Sequence, residues 1–364
     1  MNNPILTGAA LCLAVLGLES RASAYEYWTC LGSKITWSSG SPTMRLSSVS
    51  FPSGSWRTAM TDVCDHWSDG PAQFEWNVVY GDTSVGVGNF QNEAWFTTSQ
   101  SLLNGAPARC ISWSYCANWA EADIVFDAAV AYTTSTSKTA LTPYGGASRP
   151  FRTTALHELG HGVGLKHEND EYNIMGQDWD HIHANGSTAR AYAGEDGFDG
   201  AVYLYGTASG RQDVGVVHWK WTGRSGEYST HARTSVFKQN GALAPGFTDR
   251  TFNANGEPGF KVSRGETIQV ELSFENNGAS SQSPLVEYYV STNDFISTFD
   301  TFVGSRRPTV NRNGVYTFTQ TIVVPSNLTV GAVYYVGAVV DPDDDIDEFD
   351  EGNNATYIAI KIES

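Results

Sequence analysis

The first half of the chain carries two hydrophobic periodicities, one helical and one alternating. In SWRTAMTDVCDHW the apolar side chains fall on one helical face, at Trp56, Ala59, Met60, Val63 and Trp67. FEWNVVY alternates apolar and polar positions from Phe74 to Tyr80, and ADIVFD at 122–127 is a short apolar run, so both predict strands. RTTALHELGHGVG and DGFDGAVYLYG predict two more helices, the second ending at Gly206. The pattern indicates an α+β domain.

In the second half of the chain the strand-type alternation dominates. Apolar side chains alternate with polar ones over 268–274, 316–322, 333–339 and 358–362. Turn clusters such as ENNG and NRNG separate these runs, which is typical of an antiparallel β-sandwich. The hydrophobic pattern is least clear over residues 214–257. The small, polar stretch TASGRQD, residues 207–213, is typical of a linker.

The N-terminal stretch has the pattern of an export signal. An apolar run from Ile5 to Leu18 precedes the small triplet Ala22-Ser23-Ala24, although no Lys or Arg stands before the run. A membrane anchor is the alternative, but the run is too short to span a bilayer comfortably. We therefore expect a signal peptide over 1–24, an α+β domain over 25–207, a linker over 208–212 and an all-β domain over 213–364, with no membrane span.

Composition and charge narrow the class of partner. The chain of 364 residues is 41% hydrophobic and 12% aromatic, which is ample for packed cores. Its formal charge is −17, from 39 acidic and 22 basic residues. Such a surface repels phosphate backbones, so we expect no nucleic-acid partner, and the charge otherwise serves solubility.

The cysteine count predicts disulfides in an oxidising compartment. Cys12 lies in the predicted signal, which leaves Cys30, Cys64, Cys110 and Cys116. An even number in a secreted chain favours two disulfides with three possible connectivities. Cys110–Cys116 would close a short loop with Cys30–Cys64 as its complement, but the sequence leaves the pairing open.

The stretch HELGHGVGLKH carries the candidate chemistry. His157 and His161 are four residues apart, so a helix places both imidazoles on one face, where they can bind one metal ion. Gly164 can end the helix in a left-handed turn, which swings His167 in as a third ligand. Three nitrogens leave a fourth position open for water, as catalytic zinc requires. Glu158 stands where a general base for that water belongs, and a surface helix with chance histidines is the alternative.

The motif His157-Glu158-x-x-His161-x-x-Gly164-x-x-His167 resembles that of the metzincin zinc peptidases. EYNIMG supplies a Met-turn methionine, Met175, eight residues after His167, and this spacing and the ending AVYLYG resemble the matrixin branch. The resemblance covers about residues 30–206. It implies a metzincin-like fold, one catalytic zinc, a secreted endopeptidase and protein or peptide substrates.

By position, the resemblance assigns His157, His161 and His167 as zinc ligands and Glu158 as the base. Met175 would form the floor under the metal, with ordinary core packing as an overlapping alternative. Trp179 is the candidate for a wall of the substrate pocket, and plain packing is the alternative for it too.

Several positions depart from the matrixin pattern. Glu168 stands where matrixins usually have serine, and Gln177 replaces a proline after the Met-turn. No histidine lies between His66 and His157, so the histidine-rich structural zinc site of matrixins is not expected. His181 and His183 offer a second metal site only as a minor alternative to a polar loop, because no further ligand set is evident.

The stretch VELSFENNG…VEYYVSTNDFIS…VGAVVDPDDDIDEFDEGNN resembles the CARDB family of bacterial adhesion-related modules. The resemblance covers about residues 213–364 and implies an immunoglobulin-like sandwich, a bacterial-type secreted protein and a role in binding a surface ligand or in spacing. The acidic run from Asp341 to Glu351 is not an EF-hand, because Ile346 and Gly352 replace its glycine and glutamate. We expect a solvated hairpin loop, with weak Ca²⁺ binding as the alternative.

Together these patterns predict a secreted zinc-dependent endopeptidase with a C-terminal immunoglobulin-like module. The rival hypothesis is an adhesion or carbohydrate-binding protein with a vestigial peptidase domain, against which the intact Glu158 argues. A metal-dependent hydrolase of non-peptide bonds is a third hypothesis, which the metzincin resemblance disfavours.

Overall fold

The computed structural model describes residues 25–364, so the predicted signal peptide lies outside the described residues. Residues 25–364 contain four α-helices, α1 Ser55–Asp69, α2 Gln100–Leu103, α3 Phe151–Val163 and α4 Gly194–Tyr205. The strands of the N-terminal unit, residues 25–206, are β1 Thr29–Cys30, β2 Ser33–Lys34, β3 Thr43–Ser47, β4 Asn77–Asp82, β5 Asn92–Thr97, β6 Ala108–Tyr115, β7 Asn118–Asp127, β8 Tyr132–Thr133, β9 Arg149–Pro150, β10 Ile182–Asn185 and β11 Thr188–Ala191. Within the described chain, no helix has the length and apolar character that crossing a membrane would need.

The strands of the C-terminal unit, residues 213–364, follow in chain order. They are β12 Val214–Val217, β13 Trp219–Ser225, β14 Tyr228–Arg233, β15 Val236–Lys238, β16 Gly246–Asp249, β17 Glu257–Ser263, β18 Thr267–Asn276, β19 Val286–Ser291, β20 Thr301–Arg306, β21 Val315–Val323, β22 Val333–Val340 and β23 Ala355–Glu363. Between 214 and 257 the strands are short, which explains why the alternating pattern is hard to read there.

The N-terminal unit packs α1, α3 and α4 around one hydrophobic core on a five-stranded sheet. The strand order is β4-β3-β5-β7-β6, parallel except for β6, which pairs antiparallel with β7. The predicted apolar face of α1 is buried at Ala59, Met60, Val63 and Trp67. The strand predicted over FEWNVVY begins only at Asn77, because the side chains of Phe74 and Trp76 enter the core before the backbone joins the sheet.

The C-terminal unit is a sandwich of two sheets. In the first, β21 pairs along one edge of β18, while β12 and β15 pair with successive parts of its other edge. The second has the order β16-β17-β23-β22-β19-β20, and apolar side chains of both sheets form one core. The prediction of an antiparallel sandwich is wrong for one pair, since β17 and β23 run parallel. The long chain between them allows β23 to return in the same direction.

The disulfide prediction requires correction. Cys30 is bonded to Cys116, with their Cα atoms 5.1 Å apart, while Cys64 and Cys110 are free thiols. Cys110 lies within the extended strand β6, six residues before Cys116, so roughly 20 Å of extended backbone separates them and excludes the short loop. Cys64 faces the core from α1. The bond holds the N-terminal segment, in which Trp28 N–H donates to Gly164 O at 3.1 Å.

Buried charges join the two units. Lys138, only 1% exposed, lies 2.8 Å from Glu257 Oε1 and 2.5 Å from Asp294 Oδ2, and also donates to the Tyr357 hydroxyl. The predicted linker packs against both units: Arg211 donates to the Gly70 carbonyl at 2.7 Å. The two units are therefore held together by buried ion pairs and hydrogen bonds.

Glu275 of β18 is a second buried contact between the units. It accepts from the Tyr192 hydroxyl at 2.6 Å and from the backbone N–H of Glu195, at the start of α4, at 3.3 Å. Burial raises the pKa of Glu275 to about 8, and the nearby Glu171 charge adds to the increase. The protonated form is therefore the stable one inside the fold.

We expect Glu275→Gln to flatten the dependence of stability on pH. A glutamate has a pKa of about 4.3 when unfolded, so the stability supplied by its protonated form is complete below that pH and is lost as the pH rises through about 8. The melting temperature of the variant minus that of the wild type should increase by at least about 2 °C from pH 6 to pH 9. Glu75→Gln, at an exposed site, is the control. A difference that does not change with pH would contradict the assignment.

Candidate metal centre

Helix α3 carries the first two candidate ligands on a buried scaffold. Its residues are almost entirely buried, and His157 and Glu158 are 7% and 6% exposed. Gly160 is required by a close approach: a Cβ there would lie 2.4 Å from Met175 Sδ and 3.2 Å from the Trp67 ring. Helix α3 thus packs directly against Met175.

Gly164 ends α3 and redirects the chain. Its φ of +125° lies in a region that favours glycine, and its N–H donates to the carbonyls of Gly160 and His161. The following residues bring His167 back toward the helix face. The prediction that Gly164 ends the helix in a turn is confirmed.

The three histidines converge. One ring nitrogen from each of His157, His161 and His167 lies within 4.8 Å of the other two, and the Nε2 atoms of His161 and His167 are 3.2 Å apart. Two nitrogens that each lie about 2.0–2.1 Å from one tetrahedral zinc are about 3.3 Å apart. The spacing fits a single ion of that size.

The opposite ring nitrogens fix which lone pairs face inward. His157 Nδ1 donates to the Ile174 carbonyl at 2.7 Å, and His161 Nδ1 donates to the Leu165 carbonyl at 2.9 Å. A neutral imidazole that donates through Nδ1 leaves Nε2 as an acceptor. The inward nitrogens of these two rings therefore present lone pairs to one point, an arrangement that a cation stabilises.

Burial keeps these imidazoles neutral. It lowers the pKa of His157 and lowers that of His161 well below its usual value, with the neighbouring histidines adding to the effect at His161. Neutral imidazole is the form that binds metals.

Glu158 is buried beside the first histidine and has a perturbed pKa. Burial raises its pKa to about 8, and the Asp178 charge adds to this, while the backbone N–H of Cys110 and the Arg149 charge oppose it. A carboxylate with a pKa near neutrality can take up and release a proton at working pH.

Residues that no sequence pattern indicated support the site. Asp178 accepts from the Arg149 guanidinium at 2.6 Å and from the Thr154 hydroxyl at 2.5 Å. Burial acts to raise the pKa of Asp178, but the Arg149 charge and the hydrogen bond from the Thr154 hydroxyl oppose it, and the pKa is lowered. Asp178 thus stays ionised beside the histidines, and its position after the Met-turn carried no spacing that could have revealed it.

The site opens into a cleft of about 890 Å³. Trp179 lies on its wall with 36% of its surface exposed, and Cys110 of β6 lines it near Glu158. Two residues of the C-terminal unit, Glu227 and Tyr228, also line it. Glu168 is buried and accepts from the Asp170 N–H at 2.5 Å.

The other candidate metal residues do not form a site. His181 and His183 lie beside and within β10, both buried, so the expectation of a polar loop is wrong. His183 Nε2 lies 2.6 Å from the Ala355 carbonyl, and His181 Nδ1 lies 3.2 Å from the Tyr192 carbonyl. Among residues 25–364, only the 157/161/167 triad brings three His, Cys, Asp or Glu ligand atoms within 4.8 Å of one another.

The acidic run 341–351 connects β22 to β23, which pair as a hairpin, and residues 343–345 are exposed. Asp341 instead faces inward, where its Oδ2 accepts from the Ile346 N–H at 2.7 Å. The side chains of this run are not among those whose ligand atoms converge in threes within the described residues.

Comparison with known proteins identifies two families. The matrixin family model matches residues 52–206, and the CARDB family model matches residues 255–357. None of the curated proteins matches the chain.

Two solved structures match part of the chain at low TM-scores. The CARDB domain of a Pyrococcus furiosus protein, in complex with di-metal ions, is 14% identical over 42% of this chain and 89% of that one, with a TM-score of 0.25. Spo0M, a sporulation control protein from Bacillus subtilis, is 12% identical over 36% of this chain and 50% of that one, with a TM-score of 0.20. The family matches, and the residues that carry them, establish that the chain contains a matrixin domain followed by a CARDB domain.

Proposed function

We propose that the protein is a secreted zinc-dependent endopeptidase. The observation that carries the proposal is the convergence of three imidazole nitrogens beside the buried Glu158. The matrixin match supports peptide-bond hydrolysis, and the N-terminal pattern of residues 1–24 supports export.

His157, His161 and His167 would hold the ion, since one ring nitrogen from each lies within 4.8 Å of the other two. Zinc so bound supplies Lewis acidity, which polarises a carbonyl and lowers the pKa of water to roughly 7. The carbonyls of Ile174 and Leu165 orient two of the rings. Met175, packed against Gly160, fixes the helix from below.

Glu158 would perform the proton transfers. Its carboxylate accepts a proton from the attacking water and then donates it to the nitrogen of the leaving amine, so the side chain ends in its starting state. The burial that raises its pKa also increases the affinity of this carboxylate for a proton.

The open cleft favours an extended polypeptide as substrate. We propose that Trp179 forms part of the wall beside the scissile bond, as its place in the cleft allows. The CARDB domain would then bind a surface ligand or act as a spacer.

Zinc removal is the direct test. We expect the purified full chain to hold one zinc ion and to cleave a panel of denatured proteins. A chelator should abolish cleavage, and zinc should restore it. His161→Ala should lose both zinc and activity, because it removes one of three ligands. A wild-type protein that binds no zinc, or proteolysis that survives complete zinc removal, would refute the proposal.

A further inference from the structure

A hairpin of the C-terminal unit reaches the candidate metal centre. Strands β13 and β14, residues 219–233, pair only with each other, whereas the flanking strands β12 and β15 both pair with β18 of the sandwich. The hairpin therefore projects from one edge of the sandwich sheet. It lies between the matrixin match, which ends at 206, and the CARDB match, which begins at 255, so neither family model covers it.

The hairpin holds the irregular segment that follows α3. Trp221 Nε1 donates to the Asn169 carbonyl at 3.0 Å, and the Asn169 side chain donates to the Gly226 carbonyl at 2.6 Å. Arg224 forms an ion pair with Asp170. These contacts all fall within three residues of His167.

The same hairpin also holds the part of this segment that follows the Met-turn. His231 Nδ1 lies 2.9 Å from Asp180 Oδ1, and both side chains are buried. A Cβ at Gly176 would overlap the Ser229 hydroxyl, so the glycine makes room for the Ser229 side chain of the hairpin. The segment from 167 to 180 has little regular secondary structure of its own and is braced from outside.

Two hairpin residues contact His167 itself. Glu227 Oε1 lies 3.4 Å from His167 Nδ1, and the Tyr228 ring lies 4.4 Å from the His167 ring, centroid to centroid. The Nδ1 atoms of His157 and His161 have backbone carbonyl acceptors in the N-terminal unit. For the third histidine, the group that faces Nδ1 is the Glu227 carboxylate of the C-terminal unit, at 3.4 Å.

We propose that the hairpin is a structural part of the metal centre and that Glu227 is a positioning residue for His167. An acceptor at Nδ1 fixes the tautomer whose Nε2 faces the ion, and it increases the basicity of that nitrogen. Tyr228 covers the ring and limits its rotation. The inference rests on the proposed zinc site, and it means that the site is complete only when the sandwich is docked.

The test measures zinc affinity by competition with a chromophoric chelator, using the full chain. Glu227→Gln should weaken zinc binding by about 10-fold, the lower end of the usual effect of removing such a partner. Glu75→Gln changes the net charge equally at an exposed site away from the cleft and should bind zinc as the wild type does. The metal-free melting temperature of Glu227→Gln should not change, because the Glu227 side chain is 67% exposed.

Tyr228→Ala and Tyr228→Phe provide a second measurement. The alanine variant should release zinc to the chelator several times faster than wild type, whereas phenylalanine, which keeps the ring, should not. If Glu227→Gln and Tyr228→Ala both hold zinc like the wild type, the hairpin has no positioning role. This inference is then refuted, while the proposed function stands. If the wild type holds no zinc, the proposed function itself fails.

Discussion

Replacing Glu158 with glutamine should abolish proteolysis while leaving zinc in place. Glutamine keeps the shape of the side chain but cannot accept a proton, so the loss should be about 10²–10⁴-fold in kcat. Glu158 is not one of the three ligands that converge, so zinc content should stay at one per chain. Cleavage assays and metal analysis of the same samples check both parts.

Glu75→Gln is the matched control and should retain wild-type activity. Full activity in Glu158→Gln would refute the proposal that this residue accepts the proton. Loss of zinc from the variant would instead show that the carboxylate contributes to metal binding.

Replacing Lys138 with methionine should be the most destabilising of the changes considered. Lys138 and its partner Asp294 are both buried, so methionine leaves a buried carboxylate without its cation. Breaking such a pair costs about 3–5 kcal/mol. Chemical denaturation of the full chain measures this loss, and the two units should separate from one another more readily.

Two further variants test whether the unpaired carboxylate causes the loss of stability. Lys138→Met combined with Asp294→Asn should recover part of the stability, because the unpaired charge is gone. Lys238→Met, at a half-exposed ion pair with Glu266, should change stability by less than about 0.5 kcal/mol. A single Lys138→Met variant as stable as the wild type would show that the buried pair does not hold the interface.

The convergence of the three histidines was predictable because its determinants are local. The spacing of His157 and His161 and the glycine at 164 act through helix geometry, which sequence alone specifies. The apolar face of α1 and the alternation in β18 followed from burial in the same way. The family matches then assign residues 52–206 and 255–357 to whole domains.

The parts that escaped prediction depend on which distant segments meet. Cys30 pairs with Cys116 across 86 residues, and nothing near either cysteine specifies this partner. Glu227 reaches His167 from another unit, through a hairpin whose strands have no clear alternation. His181 looked polar and exposed in sequence, yet it is buried against Tyr172.

The Cys30–Cys116 bond has a consequence for the order in which the chain matures. It fastens the N-terminal segment that hydrogen bonds to Gly164, next to the turn that delivers the third ligand. Closing a loop of this length in the unfolded chain removes entropy worth about 4–5 kcal/mol. In the secreted protein that we propose, oxidation after export would coincide with consolidation of the turn. Thiol reductants in an assay buffer would remove this restraint.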